Sequence, residues 1–244
     1  MNPGLDMLTF AAMKFPDPLI RGTLELRYKR FMADVTLENG ETVVAHCANS
    51  GSLLTAKEPG SEVWISPARN PDRKLKYTWE LIRCGRSLVG INTAHPNALV
   101  ADAIESGKIT ELAGFESLRR EVKYGKNSRI DILLESGGKL TYVEVKNVTF
   151  SREKGLAEFP DSVTARGAKH LVELSDMVAG GHRAVMVYLV QRQDCKSLAI
   201  ADDIDPVYAE ALIKARAAGV EVLCYCCKMS TKEIKVDRPL PVNY

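Results

Sequence analysis

"RIDILLESGGKLTYVEVKN" (residues 129–147) is the stretch on which the reading of this chain turns. Ile130, Ile132 and Leu134 alternate along its first run, and Val143 and Val145 along its second, with a glycine turn between. Side chains alternate across a strand, so the spacing predicts two joined strands that each offer an apolar face to a core. The other face then carries Asp131 on one strand and Glu144 with Lys146 on the next. Two carboxylates and an ammonium in mid-strand are costly if buried without partners.

Working outward, 118–124 reads as a third strand. Before it, "HPNALVADAIESGKI" reads as a helix entered at Pro96 and Asn97, with Leu99, Val100, Ala103 and Ile104 at helical spacing before Gly107. After the pair come a helix between Ser162 and Val178 and the apolar strand "AVMVYLV". A helix capped by Asp205, with Pro206 at its first position and Gly219 at its end, leads to the strand "VEVLCYCC". That order predicts an α/β layered domain, with "RPLPVNY" as an extended tail. The front of the chain is strand-like instead. "GTLELRYKRFMADVTL" leads to a hairpin at Asn39-Gly40 and on to "TVVAHCANSG"; "SEVWISPA", "KYTWELIRC" and "SLVGIN" follow. Five or six short strands in about 80 residues suggest a small barrel, for which the oligonucleotide-binding (OB) barrel is one candidate. The expectation is an α/β protein of two domains, a barrel over 1–91 and an α/β unit over 92–244. A fragment starting near Asn92 is expected to fold alone.

Of the 244 residues 45% are hydrophobic and 26% charged, as in ordinary globular proteins, and the net charge of +2 calls for no polyanion by itself. Any nucleic-acid surface must therefore be local. "MNPGLDMLTFAAMKFPDPLI" lacks the apolar core of a signal peptide, and no run approaches a membrane span. The cysteines at 47, 84, 195, 224, 226 and 227 show no paired metal spacing, and "CYCC" lies in an apolar run. Reduced core thiols and a cytoplasmic setting are expected, with no membrane partner.

On adjacent strands Asp131, Glu144 and Lys146 can converge. Two close carboxylates repel unless one takes a proton or a cation sits between them. Hard oxygen ligands favour Mg²⁺ or Mn²⁺, and a lysine beside the metal can orient a water for attack on phosphorus or steady the developing charge. The chemistry implied is phosphodiester hydrolysis. A solvated face on an edge strand accounts for an E-x-K equally well, and the residues alone leave both readings open.

The order of elements and the D-x(n)-E-x-K spacing resemble the PD-(D/E)xK nuclease superfamily. "REVKYGKNSRID", "YVEVKNVT", "FPDSVTARGAKH" and "GVEVLCY" more closely resemble the SfsA (sugar fermentation stimulation protein A) family. That likeness continues in "HCANSGSL" and "NPDRKLKYTWELI" and spans nearly the whole chain. The resemblance implies an OB-like N-terminal domain, a restriction-endonuclease-like C-terminal domain and DNA binding. It makes Asp131 and Glu144 metal ligands and Lys146 the catalytic lysine. The superfamily often adds an acid from the helix before the sheet, where Asp102 stands, with Glu105 one turn on; Glu121 is a further candidate.

From Thr164 a helix would gather Arg166, Lys169, His170 and Glu173 on a polar side and turn Ala168, Leu171 and Val172 inward. Arg166 and Lys169 could meet phosphates, His170 could support by hydrogen bonding, and Gln191 could face the same cleft. In the front domain Arg27, Lys29 and Arg30 with Tyr28, and Arg73 and Lys74 with Tyr77 and Trp79, mix basic and aromatic groups as a DNA-binding barrel would. Trp79 is expected in the core. Three functions follow: a sequence-nonspecific DNA-binding protein, for double or single strands, that hydrolyses DNA with Mg²⁺ or Mn²⁺; a DNA-binding regulator of sugar metabolism without turnover; or a phosphohydrolase acting on something else. Two basic-aromatic surfaces favour the first two.

Overall fold

The structure is a computed structural model that describes residues 12–125 and 128–244. The leader reading of residues 1–11 lies outside them, as do Lys126 and Asn127 of the family-like block. Strand β1 (Met13–Lys14) leads to the barrel strands β2 (Ile20–Tyr28), β3 (Met32–Leu37), β4 (Thr42–His46), β5 (Glu62–Pro67) and β6 (Tyr77–Cys84), followed by β7 (Ser87–Gly90). Their order is β4-β3-β2-β5-β6-β7, and Ala45 and His46 of β4 pair in parallel with Tyr77 and Thr78 of β6. That last pairing closes five strands into an OB barrel around Leu24, Val35, Ile65 and the fully buried Trp79.

The run "GTLELRYKRFMADVTL" is two strands, not one. Lys29 and Arg30 turn it with φ of 46° and 64°, although neither residue type signals a turn. The conformation is held from outside, because the Arg27 guanidinium donates to the Arg30 carbonyl at 2.8 and 3.1 Å.

The second half follows as α1 (Pro96–Glu105), a 3-10 turn at Thr110–Leu112, β8 (Ser117–Tyr124), β9 (Ser128–Ser136), β10 (Lys139–Val148), β11 (Leu156–Phe159), α2 (Ala165–Ala179), β12 (Arg183–Val190) and β13 (Ser197–Ile200). It ends with α3 (Pro206–Ala217), β14 (Glu221–Met229), β15 (Glu233–Pro239) and β16 (Val242–Asn243). The main sheet has the order β1-β15-β14-β12-β10-β9-β8, with β10, β12 and β14 parallel. β12 is buried along nearly its whole length, as expected of a parallel strand covered on both faces. Leu99 and Val100 of α1 pack on one face with Ile132, Val143 and Val187; Leu171 and Leu174 of α2 and Tyr208 and Leu212 of α3 pack on the other.

Two expectations need correction. β1 pairs with β15, so the front segment supplies an edge strand to the C-terminal sheet. Trp64, Leu81 and Leu88 of the barrel also share a core with α1, so a fragment from Asn92 would bare that face. The expected tail is not free: Arg238 and Pro239 belong to β15, and β16 joins β13 and β11 in a small parallel sheet. The six cysteines are free, and all but Cys84 are buried. No described helix is long and apolar enough to cross a membrane.

Candidate metal centre and its cleft

β9 and β10 pair from Lys139↔Ser136 only as far as Val143↔Ile132, while β10 stays paired with β12 through Val148. The two strands therefore part at the residues that carry the acids. Beyond the fork the N–H of Val145 has no strand partner on that side and needs an acceptor. Asp131 Oδ2 takes it at 2.7 Å. Asn97, at the second position of α1, donates Nδ2 to Asp131 Oδ1 at 2.7 Å.

Glu144, 2% exposed, faces α2. Its Oε1 receives Lys146 Nζ at 2.7 Å and contacts His170 Nδ1. Lys146 Nζ is 3.4 Å from the same His170 nitrogen, and Arg166 Nε is 3.3 Å from His170 Nε2. The fork thus joins Asp131, Glu144, Lys146, His170 and Arg166.

The carboxyls are driven apart. Burial, then the charge of Glu144, pushes Asp131 up to about 6, against the Val145 N–H, Lys146 and Asn97. Burial also acts to raise Glu144, but the His170 hydrogen bond and the charge of Lys146 outweigh it and hold that carboxyl below its ordinary value. Divergent environments for two neighbouring acids mark a site suited to chemistry. Glu144 Oε2 is buried and has no hydrogen-bond partner among the described residues. A carboxylate oxygen left bare beside a second carboxylate fits a hard divalent cation, which can be held by two carboxylates and waters. No group of three or more His, Cys, Asp or Glu side chains is arranged for a metal among the described residues, so the pair is what the fold supplies.

The other candidates fall differently. Asp102 lies five positions after Asn97, about 140° round the helix, so it leaves the face that Asn97 turns to the fork. Glu121 is nearer: Asn97 Nδ2 also reaches its Oε1 at 3.1 Å, and its φ of 54° is strained for a glutamate. Lys169 is shared between Ser128 Oγ at 3.1 Å and Glu173 at 3.5 Å. Glu173 is itself buried, and Val172, expected inward, is 57% exposed. Gln191 does not line a cleft; it is fully buried at the domain junction, where Nε2 meets Asn147 Oδ1 at 2.8 Å. Arg27 is spent on structure, donating to the carbonyls of Arg30, Asn49, Gly51 and Ser52. Lys29 and Lys74 are exposed, and Arg73 reaches Thr78 Oγ1 at 2.8 Å. Asn97 escaped the sequence reading because an amide in a helix's first turn carries no chemical signature.

A cleft of about 350 Å³ opens where the two domains meet, beyond the end of β10. Its lining includes Arg30 and Ser50 from the barrel and Asn147 and Thr164 from the α/β domain. Ser52 Oγ donates to the Asp161 carbonyl at 2.6 Å, and the Leu53 N–H to the Asp161 carboxylate at 2.9 Å, tying the walls together.

Residues 94–233 match the family described as "Sugar fermentation stimulation protein RE domain", and residues 26–91 match "SfsA N-terminal OB domain". The chain is 57% identical over 232 residues to a sugar fermentation stimulation protein homolog of Paramagnetospirillum magneticum, covering 95% of this chain and 98% of the relative. It is 58% identical over 242 residues to the homolog of Rhodospirillum rubrum, covering 94% and 99%. Among solved structures it resembles Pyrococcus furiosus SfsA in complex with Ca²⁺, with a TM-score of 0.86, 27% identity and coverage of 95% and 98%.

Proposed function

The chain belongs to the sugar fermentation stimulation protein (SfsA) family, and from that premise we propose that its nuclease-like domain binds DNA without sequence preference and hydrolyses its phosphodiesters with Mg²⁺ or Mn²⁺. The observation that carries the reading is the strand fork, which sets Asp131 beside Glu144 with one Glu144 oxygen buried and unpaired. A divalent cation held by these two carboxylates would polarise the phosphate and acidify a water. The relative solved in complex with Ca²⁺ supports a hard divalent cation here. Lys146, 2.7 Å from Glu144 Oε1, would orient the attacking water or meet the charge that develops on the phosphoryl oxygens. His170 fixes Glu144 from α2, and the exposed Arg166 one turn earlier supplies a phosphate contact.

A second reading, DNA binding without turnover, draws on a different observation. Glu144 Oε1 is already satisfied by Lys146 and His170, so the site can stay closed without metal. Incubating metal-free protein with linear, circular and single-stranded DNA, with and without Mn²⁺ or Mg²⁺, separates the two. Metal-dependent products that vanish in Asp131→Ala support hydrolysis; their absence from the wild type leaves the binder.

A further inference from the structure

We propose that the cleft between the barrel and the α/β domain takes an unpaired DNA strand, so that the substrate of the hydrolysis proposed above is single-stranded or locally opened DNA. The proposal rests on that reading for its chemistry and on separate observations for its geometry. Its lining includes Asn147, the residue after Lys146 on β10, and Thr164, the N-cap of α2 two residues before Arg166, so the elements that carry the fork also wall the cleft.

Its front wall is built rather than incidental. Arg27 makes five hydrogen bonds to the carbonyls of Arg30, Asn49, Gly51 and Ser52. That withdraws acceptor oxygens from the wall and leaves donors and side chains, which suits a phosphodiester backbone. The acids of the lining are engaged, Glu158 by Arg152 and Asp161 by the Leu53 N–H. Of the four described non-glycine residues with positive φ, Arg30 lines the cleft, Lys29 precedes it in the turn, Leu53 donates its N–H to Asp161 of the lining, and Glu121 stands at the fork. Such backbone strain gathers where a ligand site over-determines the chain.

The choice of a single strand comes from Phe31. It follows Arg30, which lines the cleft, in the β2–β3 turn and is 45% exposed, while Val163 of the cleft lining is 74% exposed. An exposed ring beside a guanidinium stacks on a base only if the base is unpaired and free of its neighbours. In OB barrels the loops between the first and second and between the fourth and fifth barrel strands meet oligonucleotides; here these are β2–β3, with Lys29, Arg30 and Phe31, and β5–β6, with Arg73 and Lys74.

Fluorescence anisotropy of the full chain in chelator tests this, with labelled oligothymidylate and a duplex of equal length. Single strand should bind at least about fivefold more tightly than duplex. Phe31→Ala should remove most of that difference by weakening the single strand alone. Arg30→Gly, which suits the left-handed turn and keeps the carbonyl that Arg27 holds, should lower the slope of log affinity against log salt by about 0.7. Equal affinity for the two DNAs, or both variants behaving as wild type, would overturn the proposal. Arg30→Gly decides even if Phe31→Ala fails to fold. With Mn²⁺ and a duplex bearing a single-stranded tail, cuts confined to the tail are expected, and cuts through the duplex overturn strand selection while keeping hydrolysis. No products in either region would remove the hydrolytic reading, and the chelator titration then upholds or removes the cleft by itself.

Discussion

Asn97 Nδ2 donates to Asp131 Oδ1 at 2.7 Å and to Glu121 Oε1 at 3.1 Å, so a single amide stands between two carboxylates at the mouth of the strand fork. The amide favours the charged form of Asp131. Asn97→Ala should therefore move the Asp131 carboxyl above about 6. The carboxyl ¹³C shift of Asp131 followed against pH in chelator reads this directly. An unchanged midpoint would mean that Asn97 does not act on Asp131.

The raised carboxyl also makes stability depend on pH. Folded Asp131 binds its proton more tightly than the unfolded chain, whose value is near 3.8. Stability should fall as pH rises from about 4 to about 6 and then stay down, by up to about 3 kcal/mol, while ionised Asp131 remains buried without metal. Asp131→Asn removes the charge, and Asn97 can turn its amide to meet the new side chain. In chelator the variant should be more stable than wild type to urea at pH 8 and about equal at pH 4. A variant weaker than wild type at pH 8 would show that the charged carboxylate is stabilised in the fold.

Part of this centre was legible in the sequence because it is written in alternation: Glu144 and Lys146 fall on one face of β10 and meet at 2.7 Å. Asp131 is not placed by period two, since Ile130 packs with Leu171 on one face of the sheet and Ile132 with Leu99 on the other. The helix entry at Pro96 and the cap at Asp205 were legible too, since each is a local rule. Positions set by tertiary contact were not. Lys29 and Arg30 turn only because Arg27 holds the loop, and Asn97 matters only because β9 and β10 part beneath it. Short strands such as β11 and β16 exist through their neighbours and carry no pattern of their own. Asp102 was chosen by its place in a helix, when the angle round the helix decides.

Lys146 competes with any cation for Glu144. Its ammonium lies 2.7 Å from Oε1 and is 15% exposed, so the pair is strong enough to matter. Lys146→Met should bind Mn²⁺ more tightly than wild type, by about 1 kcal/mol or roughly fivefold, and yet cut no DNA. Calorimetric titration and a cleavage assay on the same preparation give the two readouts. Weaker Mn²⁺ binding would place the ammonium among the groups that support the metal rather than oppose it.

The junction between the domains offers a test free of the chemistry. Gly90 donates its N–H to the Gln191 carbonyl at 2.9 Å, and a Cβ at Gly90 would stand 2.4 Å from Gln191 Oε1 and 2.8 Å from Cδ. Gln191 is fully buried and holds Asn147, so it has nowhere to go. The backbone at Gly90 is not left-handed, which leaves the clash as the whole effect. Gly90→Ala should cost about 1–3 kcal/mol in urea unfolding. Gln191→Ala alone should also destabilise, by opening a cavity and freeing the Asn147 amide oxygen. The double variant should be less destabilised than the two losses added together, because the truncated residue makes room for the new methyl group. Simple additivity would place the strain of Gly90→Ala somewhere other than Gln191, and the two domains would then be joined less tightly at this point than the close approach implies.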